Sequence, residues 1–117
     1  MRKRLERILA DKDYDTLVSL DGERVVGFIG VRVGPLYEDD RLYAQIMALA
    51  VARDSQRRGV GARLVQAAES MAIARGAGIS VITSGNHRAD AHEFYEKNGY
   101  AITGRRYKKS LPPPTQR

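Results

Sequence analysis

The stretch between residues 42 and 83 limits the fold more than any other part of the chain. Residues 42–51 are typical of a strand with two apolar faces, Ala44, Ile46, Ala48 and Ala50 on one and Met47, Leu49 and Val51 on the other. Apolar residues then recur at helical spacing over residues 61–75, and β-branched residues indicate a strand at 79–83. Two strands joined through a helix pair in parallel, so this stretch predicts a parallel step inside a sheet.

The flanking segments predict antiparallel strands and further helices around that step. Residues 16–20 and 24–33 have strand patterns joined by an Asp21-Gly22 turn signal. The expected fold class is α/β (α+β), a mixed and mostly antiparallel twisted sheet with helices on both faces. The remaining predicted elements are helices at 2–11 and 88–98 and strands at 100–103 and 105–111.

Length and composition fit one domain. The chain has 117 residues, 43% of them hydrophobic, which is enough for one compact core and not for two. We expect that domain to cover residues 1–111 and residues 112–117 to be a frayed tail, because Pro112-Pro113-Pro114 cannot join a helix or a sheet. No apolar run approaches the ~18–20 residues of a membrane span, and no signal peptide is recognisable. We therefore expect a cytoplasmic protein without a membrane partner.

Cysteine, histidine and net charge narrow the kinds of site. The chain has no cysteine, which excludes disulfides, thiolate metal sites and a cysteine nucleophile. His87 and His92 have no recognisable ligand set around them, and no metal is expected. The net charge of +6 fits an anionic partner, either nucleic acid or a phosphorylated cofactor, although solubility alone also accounts for an excess of this size.

A basic, glycine-containing segment joins the apolar strand to the central helix. The first N–H groups of a helix have no intrahelical acceptor and lie at the positive end of its dipole, so they can bind a phosphate. Gly59 and Gly61 would let the backbone approach an anion, and the neighbouring arginines would add charge-assisted hydrogen bonds. A plain turn with surface arginines has the same pattern, and the residues alone leave both interpretations open. The segment reads Gln56-Arg57-Arg58-Gly59-Val60-Gly61-Ala62-Arg63.

The last helical segment, residues 86–100, supplies a second set of candidates. Phe94 is expected to pack in the core. For Tyr95 the residues leave open whether it packs in the core or has a functional role, since a buried tyrosine hydroxyl needs a hydrogen-bond partner.

Together these two segments resemble the GNAT superfamily of N-acetyltransferases. Residues 56–61 match its Q/R-x-x-G-x-G/A acetyl-CoA loop, and Leu49-Ala50-Val51 matches the strand end before that loop. Residues 86–100 match its last helix and the strand that follows. The resemblance implies the GNAT-like acyl-CoA N-acyltransferase fold, here without the usual first strand and helix.

The resemblance also implies a reaction and the residues that perform it. An amine would attack the thioester of acetyl-CoA directly in a ternary complex, with no covalent enzyme intermediate and no metal. The strand end Leu49-Ala50-Val51 would bind the pantetheine arm through the backbone of its first and last residues, Asn86 would bind it from the other side, and Tyr95 would protonate the departing thiolate. The backbone amides of residues 57–62 would hold the pyrophosphate. The cofactor-binding residues of the loop would be Gln56, Arg57, Arg58, Gly59, Val60, Gly61, Ala62 and Arg63.

Two departures from the family pattern concern the general base and the assembly. Gln45 stands where the histone-acetylating branch has a glutamate, and an amide cannot act as a base. Glu38, Asp39 and Asp40 are alternative bases, although acids in loops are usually just exposed. The chain also starts too late for the first strand and helix of the family, which would leave an exposed sheet edge. We therefore hypothesise a homodimer.

Two other functions are kept as alternatives. A basic nucleic-acid-binding module is suggested by the net charge and by Arg105-Arg106-Tyr107-Lys108-Lys109. It is disfavoured because no nucleic-acid motif is present and a pyrophosphate would account for the loop arginines. A catalytically silent acyl-CoA-binding regulatory domain would carry the same loop. The sequence does not name the amine acceptor, nor does it separate acetyl from a longer acyl group.

Overall fold

The described strands form one mixed sheet in the order β1-β2-β3-β4. The computed structural model describes residues 14–35, 40–82, 89–103 and 109–114. The strands are β1, Tyr14–Asp21; β2, Arg24–Pro35; β3, Leu42–Val51; and β4, Ala77–Ile82. Helix α1 spans Val60–Ala74, helix α2 spans Ala89–Lys97, and a 3₁₀ turn spans Arg53–Ser55.

The pairing confirms the predicted fold class. β2 pairs antiparallel with β1 and with β3, whereas β3 and β4 pair in parallel across the α1 connection. The strand predicted at residues 42–51 has those bounds, because its two-residue periodicity is a local signal. The helix predicted at residues 2–11 lies outside the described residues.

One face of the sheet and one side of α1 form the core. The fully buried Ile29 and Val31 of β2 pack against Val65 in the middle of α1. Gly27 allows the first turn of α1 to approach β2, because a Cβ there would lie 3.1 Å from side-chain carbons of both Val60 and Leu64. This packing fixes the start of α1 above the end of β3. The buried cluster consists of Val26, Ile29, Val31, Ala44, Ile46, Val60, Leu64, Val65, Ala68 and Ala72.

β3 contains a β-bulge in its middle. Its register with β2 shifts so that Ile46 lies opposite Val31 while Ala48 lies opposite Gly30. Met47 is therefore an extra residue that faces no partner on β2. A single extra residue reverses the side-chain alternation along everything that follows it.

The bulge changes the faces of the second half of β3. Leu49 and Val51 pack against the core cluster, on the same face as Ile46. Ala48 and Ala50 lie on the opposite face and are exposed. The prediction that grouped Ala48 and Ala50 with Ile46, on a strand covered on both sides, is wrong here because strict alternation takes no account of the bulge.

The residues after α2 do not form the predicted strand at 100–103. Gly99 has a φ of 90°, and the backbone N–H of Tyr100 donates to the C=O of Tyr95 at 3.0 Å. The N–H group that a strand would use thus closes the helix instead. Residues 101–103 have no regular secondary structure, and the same holds for residues 109–114, which include the described part of the strand predicted at 105–111.

Candidate functional site

β3 extends beyond the end of β4 where the glycine loop begins. Pairing between the two strands ends at Ile46 and Ile82, whereas β3 continues to Val51. Residues 47–51 therefore have no β4 partner within the described strands. At about 3.3 Å per residue, this open edge is about 16 Å long, which is room for an extended ligand.

The backbone groups of Leu49 and Val51 face this open edge. The N–H of Ala52 donates to the C=O of Val26 at 2.7 Å, so this residue bonds to β2. Antiparallel partners alternate between hydrogen-bonded and non-hydrogen-bonded pairs, and Val51 and Leu49 therefore direct their N–H and C=O groups away from β2. The side chain of Gln56 supports this direction, because its Nε2 donates to the Val51 C=O at 3.1 Å.

The glycine loop enters α1 through left-handed backbone. Gly59 is the N-cap of α1 with a φ of 79°, and Arg57 has a φ of 66°. Within the described residues no side chain caps this end, and the first turn contains no acidic residue. The first intrahelical bond runs from the N–H of Arg63 to the C=O of Gly59 at 3.0 Å. The N–H groups of residues 60–62 are thus directed out of the helix end, and a left-handed residue before a helical one forms a concave anion-binding nest.

The two glycines of the loop are needed for different reasons. Gly59 supplies the left-handed backbone, which side chains with a Cβ adopt at a cost. A Cβ on Gly61 would lie 3.1 Å from Cζ of Phe94, so the absence of a side chain there allows α2 to pack against α1. Helix packing is thus a second requirement for a glycine at position 61, and its approach to an anion stays a prediction.

Exposed arginines surround the loop. Arg57 and Arg58 are exposed, and Arg63 folds back so that its Nη1 donates to the Arg58 C=O at 3.4 Å. The nearby carboxylate of Asp54 is held by Arg24, with N–O distances of 2.9 Å to each oxygen. The hydrogen bond from Arg24 lowers the pKa of Asp54. The acid beside the loop is thereby paired, and the loop itself keeps a positive potential.

Helix α2 packs against the start of α1 through Phe94, the residue before Tyr95. The rings of Phe94 and Tyr95 meet edge-on, with centroids 5.9 Å apart and planes at 70°. Phe94 also packs against the core cluster and, as described above, against Gly61. Tyr95 is half-buried. The helix predicted at 88–98 is thus confirmed within one residue at each end, whereas the acid role of Tyr95 stays a prediction.

Three other candidates have their side chains placed by the structure, and their role in binding the coenzyme stays a prediction. The backbone N–H and C=O groups of Ala50 are directed toward β2, by the same alternation. Its methyl group is exposed on the face of the sheet opposite α1. Val60 is only 5% exposed, so it can offer a ligand its backbone N–H but not its side chain. Ala62 is half-buried in the first turn of α1. Asn86 lies outside the described residues.

Asp40, which lies just before β3, is remote from the open edge. Asp40 is exposed and stands two residues before Leu42. Along an extended strand, Leu42 is about 23 Å from Leu49, which is too far for Asp40 to take a proton directly. Glu38 and Asp39 lie outside the described residues. Gln45 is in β3, and its Oε1 accepts a hydrogen bond from the Tyr43 hydroxyl at 3.3 Å.

A polar cluster that the sequence analysis missed joins α1, β4 and the end of α2. The Tyr100 hydroxyl donates to Oε2 of Glu69 at 2.7 Å and lies 2.7 Å from Oγ of Ser80. Burial raises the pKa of Tyr100 to about 12, and the hydrogen bond to Glu69 acts in the same direction. The only local signal for this cluster is an aromatic residue directly after the glycine that ends a helix.

The pKa of Tyr100 predicts a loss of stability at high pH. In the unfolded chain its pKa is the ordinary 10.0, and in the folded protein it is about 12. The unfolded state therefore loses the proton first, and the free energy of unfolding should fall between these two pH values. Denaturant unfolding of wild type and Tyr100→Phe should show a larger loss for the wild type over that window. Equal losses would contradict the assignment.

The described residues contain neither a spanning helix nor a metal-binding cluster. None of the helices in this part of the chain combines the length and apolar character needed to cross a membrane. No group of three or more His, Cys, Asp and Glu side chains is assembled there for a metal ion.

Comparison with known families decides the relationship. The model of the acetyltransferase (GNAT) family matches residues 1–100 of the chain. The protein belongs to the GNAT acetyltransferase family. Among curated proteins, no relative matches the chain significantly.

Solved structures share the GNAT fold with this chain. A transcriptional regulator from Bacillus halodurans C-125 matches at 27% identity with a TM-score of 0.84, over 94% of this chain and 74% of the regulator. An aminoglycoside acetyltransferase from an uncultured soil metagenomic sample, in complex with trehalose, matches at 21% identity with a TM-score of 0.83, over 96% and 75% of the two chains. The aminoglycoside N-acetyltransferase AAC(6')-Iy in complex with CoA matches at 18% identity with a TM-score of 0.79, over 94% and 88%. The last two similarities concern the fold alone.

The candidate site lies at one end of the sheet. The structure brings together the open edge of β3, the loop of residues 56–59 and the first turn of α1, and the Phe94 ring of α2 contacts that first turn. It does not bring the acid at Asp40 to the same end.

Proposed function

We propose that this GNAT protein is an N-acetyltransferase that moves the acetyl group of acetyl-CoA to a primary amine in a ternary complex. The observation that carries the proposal is the open edge of β3, which leads directly into a helix start with outward-facing amides. A pantetheine arm carries amide groups and can pair with Leu49 and Val51 as an added strand does. The pyrophosphate can then bind the N–H groups of residues 60–62.

The proposed reaction does not pass through a covalent intermediate with the protein. The neutral amine attacks the thioester carbonyl carbon, a C–N bond forms, and the carbonyl electron pair moves onto the oxygen. The N–H of Leu49 at the open edge donates to that oxyanion. The intermediate then collapses and the C–S bond breaks. Tyr95 gives its hydroxyl proton to the leaving sulfur, and the positively charged nitrogen of the intermediate releases its proton to water, which leaves a neutral amide. Tyr95 is then reprotonated from water.

Acetyl-CoA should stabilise the folded protein. At a concentration of ~100 times Kd, a ligand that binds only the native state adds about 2.7 kcal/mol to the free energy of unfolding. Thermal unfolding with and without acetyl-CoA measures this effect, and adenosine, which lacks the pyrophosphate and the pantetheine arm, is the control ligand. An unchanged melting temperature at millimolar acetyl-CoA would contradict the proposal.

The acceptor is identified by turnover. Release of the CoA thiol can be followed over a panel of protein N-termini, lysine peptides, polyamines and aminoglycosides. The aminoglycosides are included because two of the GNAT proteins with a similar fold are aminoglycoside acetyltransferases. The same assay with longer acyl-CoA thioesters tests whether acetyl is the preferred group.

A regulatory role is the second candidate. It is favoured by the similarity to a protein described as a transcriptional regulator, at 27% identity. In that case the domain binds acyl-CoA tightly but turns over none of the amines in the panel. Binding to DNA or RNA that weakens with salt and ignores acetyl-CoA would instead support a nucleic-acid-binding module.

We also propose that the protein forms a homodimer. β1 is an edge strand of the described sheet, and exposed strand edges pair readily with another chain. Light scattering at micromolar protein should then give twice the mass of 13.0 kDa. A monomeric mass would refute the dimer without affecting the proposed reaction.

A further inference from the structure

We propose that Tyr100, through Glu69 and Ser80, is a positioning residue that sets the place of Tyr95 relative to the coenzyme loop. The inference rests on the proposed function, because it concerns the residue that protonates the leaving sulfur. It assigns no chemical step to Tyr100 itself. It identifies the contact that links the end of α2 to the elements that hold the rest of the site.

The C-terminal end of α2 is closed by a double hydrogen bond. The N–H of Tyr100 donates to the C=O of Tyr95, and the N–H of Gly99 donates to the C=O of Glu96, each at 3.0 Å. With Gly99 at a φ of 90°, this is the Schellman arrangement of a helix end. The backbone of Tyr95 is therefore bonded directly to Tyr100.

The side chain of Tyr100 attaches this helix end to two other elements. Its hydroxyl is 2.7 Å from Oε2 of Glu69 in α1 and 2.7 Å from Oγ of Ser80 in β4. A hydroxyl that donates to one group and accepts from the other has its orientation determined from both sides. A carboxylate acceptor makes the first bond charge-assisted, and such bonds are the stronger ones.

Phe94 and Tyr100 each attach α2 to α1. Phe94 packs against Gly61 in the first turn, and Tyr100 is bonded to Glu69, which lies eight residues further along the same helix and about 12 Å away. The start of α1 also carries the outward-facing amides of the coenzyme loop. One rigid helix, α1, thus holds both the anion site and the helix that carries Tyr95. A shift of α2 relative to α1 would move the Tyr95 phenol away from the thioester.

The first experiment separates rate from binding. Tyr100→Phe should lower kcat about tenfold and leave the KM for acetyl-CoA within about twofold, since the loop amides are untouched. Glu69→Gln keeps an oxygen acceptor for the Tyr100 hydroxyl and should retain most of the wild-type kcat, whereas Glu69→Leu should resemble Tyr100→Phe. The matched control is Tyr43→Phe, which removes a tyrosine hydroxyl that bonds to Gln45 in β3 and should leave kcat unchanged. Ser80→Ala is the mildest variant, should lower kcat in the same direction and serves if Tyr100→Phe does not fold.

The second experiment tests whether the effect passes through Tyr95. In the Tyr95→Phe background, Tyr100→Phe should cause no further loss of kcat, because there is no phenol left to position. Additive losses would overturn the inference and indicate a general structural role. If kcat is unchanged in Tyr100→Phe but lowered in Tyr95→Phe, the inference about Tyr100 is overturned and the proposed function stands. A wild-type protein that neither binds acetyl-CoA nor turns over any amine would overturn the proposed function first, and the inference with it.

Discussion

Replacing Tyr95 with phenylalanine should lower kcat by about 10²–10⁴-fold while acetyl-CoA affinity changes little. The variant removes only the hydroxyl, so the edge-on contact between the rings at positions 94 and 95 is kept. In the proposed site, binding of the coenzyme depends on backbone groups of the strand end and the loop, and these do not involve the phenol. Steady-state thiol release gives kcat, and titration calorimetry gives the affinity of the coenzyme.

Leaving-group chemistry provides the sharpest control for Tyr95→Phe. A thioester whose thiol is more acidic needs less proton transfer as the C–S bond breaks, so it should lose less rate in the variant than acetyl-CoA does. An unchanged kcat with acetyl-CoA would exclude the acid role. A large loss of affinity together with kcat would mean that Tyr95 acts in binding rather than in proton transfer.

Gly59→Val should raise the Kd for acetyl-CoA by about 10–100-fold. The N-cap of α1 has a φ of 79°, where a β-branched residue costs of order 1–3 kcal/mol. The backbone relieves that strain by moving out of the left-handed region, and the amides that follow are then no longer aimed at one anion. Each hydrogen bond to a charged group is worth about 1.5–3 kcal/mol, and every 1.4 kcal/mol is a factor of about ten in Kd.

The matched control for Gly59→Val is Gly22→Val. Gly22, in the turn between β1 and β2, also has a positive φ, of 63°, and a Cβ there would meet no atom within 4 Å. The two variants should lose similar stability in denaturant unfolding, yet Gly22→Val should keep the wild-type Kd within about twofold. An equal rise of Kd in both variants would mean that the loss at Gly59 reflects stability rather than the shape of the loop.

Local periodicity explains what the sequence predicts correctly. β3 was predicted with its observed bounds, and α1 was predicted at 61–75 against Val60–Ala74. Both are governed by patterns of apolar residues that a short window contains. The glycine loop is also recognisable from a local signal, because two glycines and three arginines stand together in the chain. The parallel step between β3 and β4 then follows from connectivity alone.

Long-range pairing explains what the sequence does not predict. The bulge at Met47 exists only in the register between β2 and β3, and the apolar residues on either side look alike in the sequence. The packing requirement at Gly61 comes from the ring of Phe94 on another helix. Tyr100 was expected in a strand, yet its partners Glu69 and Ser80 come from elements far away in the chain. No short window contains these relations.

Residues 47–51 of β3, which extend beyond the end of β4, have a consequence for how sequences in the family can diverge. A ligand that completes the sheet at Leu49 and Val51 is recognised through main-chain spacing, whereas the side chains of both residues point into the core. Substitutions there alter packing and leave the pattern of donors and acceptors in place. Such a recognition surface tolerates amino-acid substitutions as long as the backbone path is kept. Solved structures that share only 18–27% of their residues with this chain keep its overall fold, with TM-scores of 0.79–0.84.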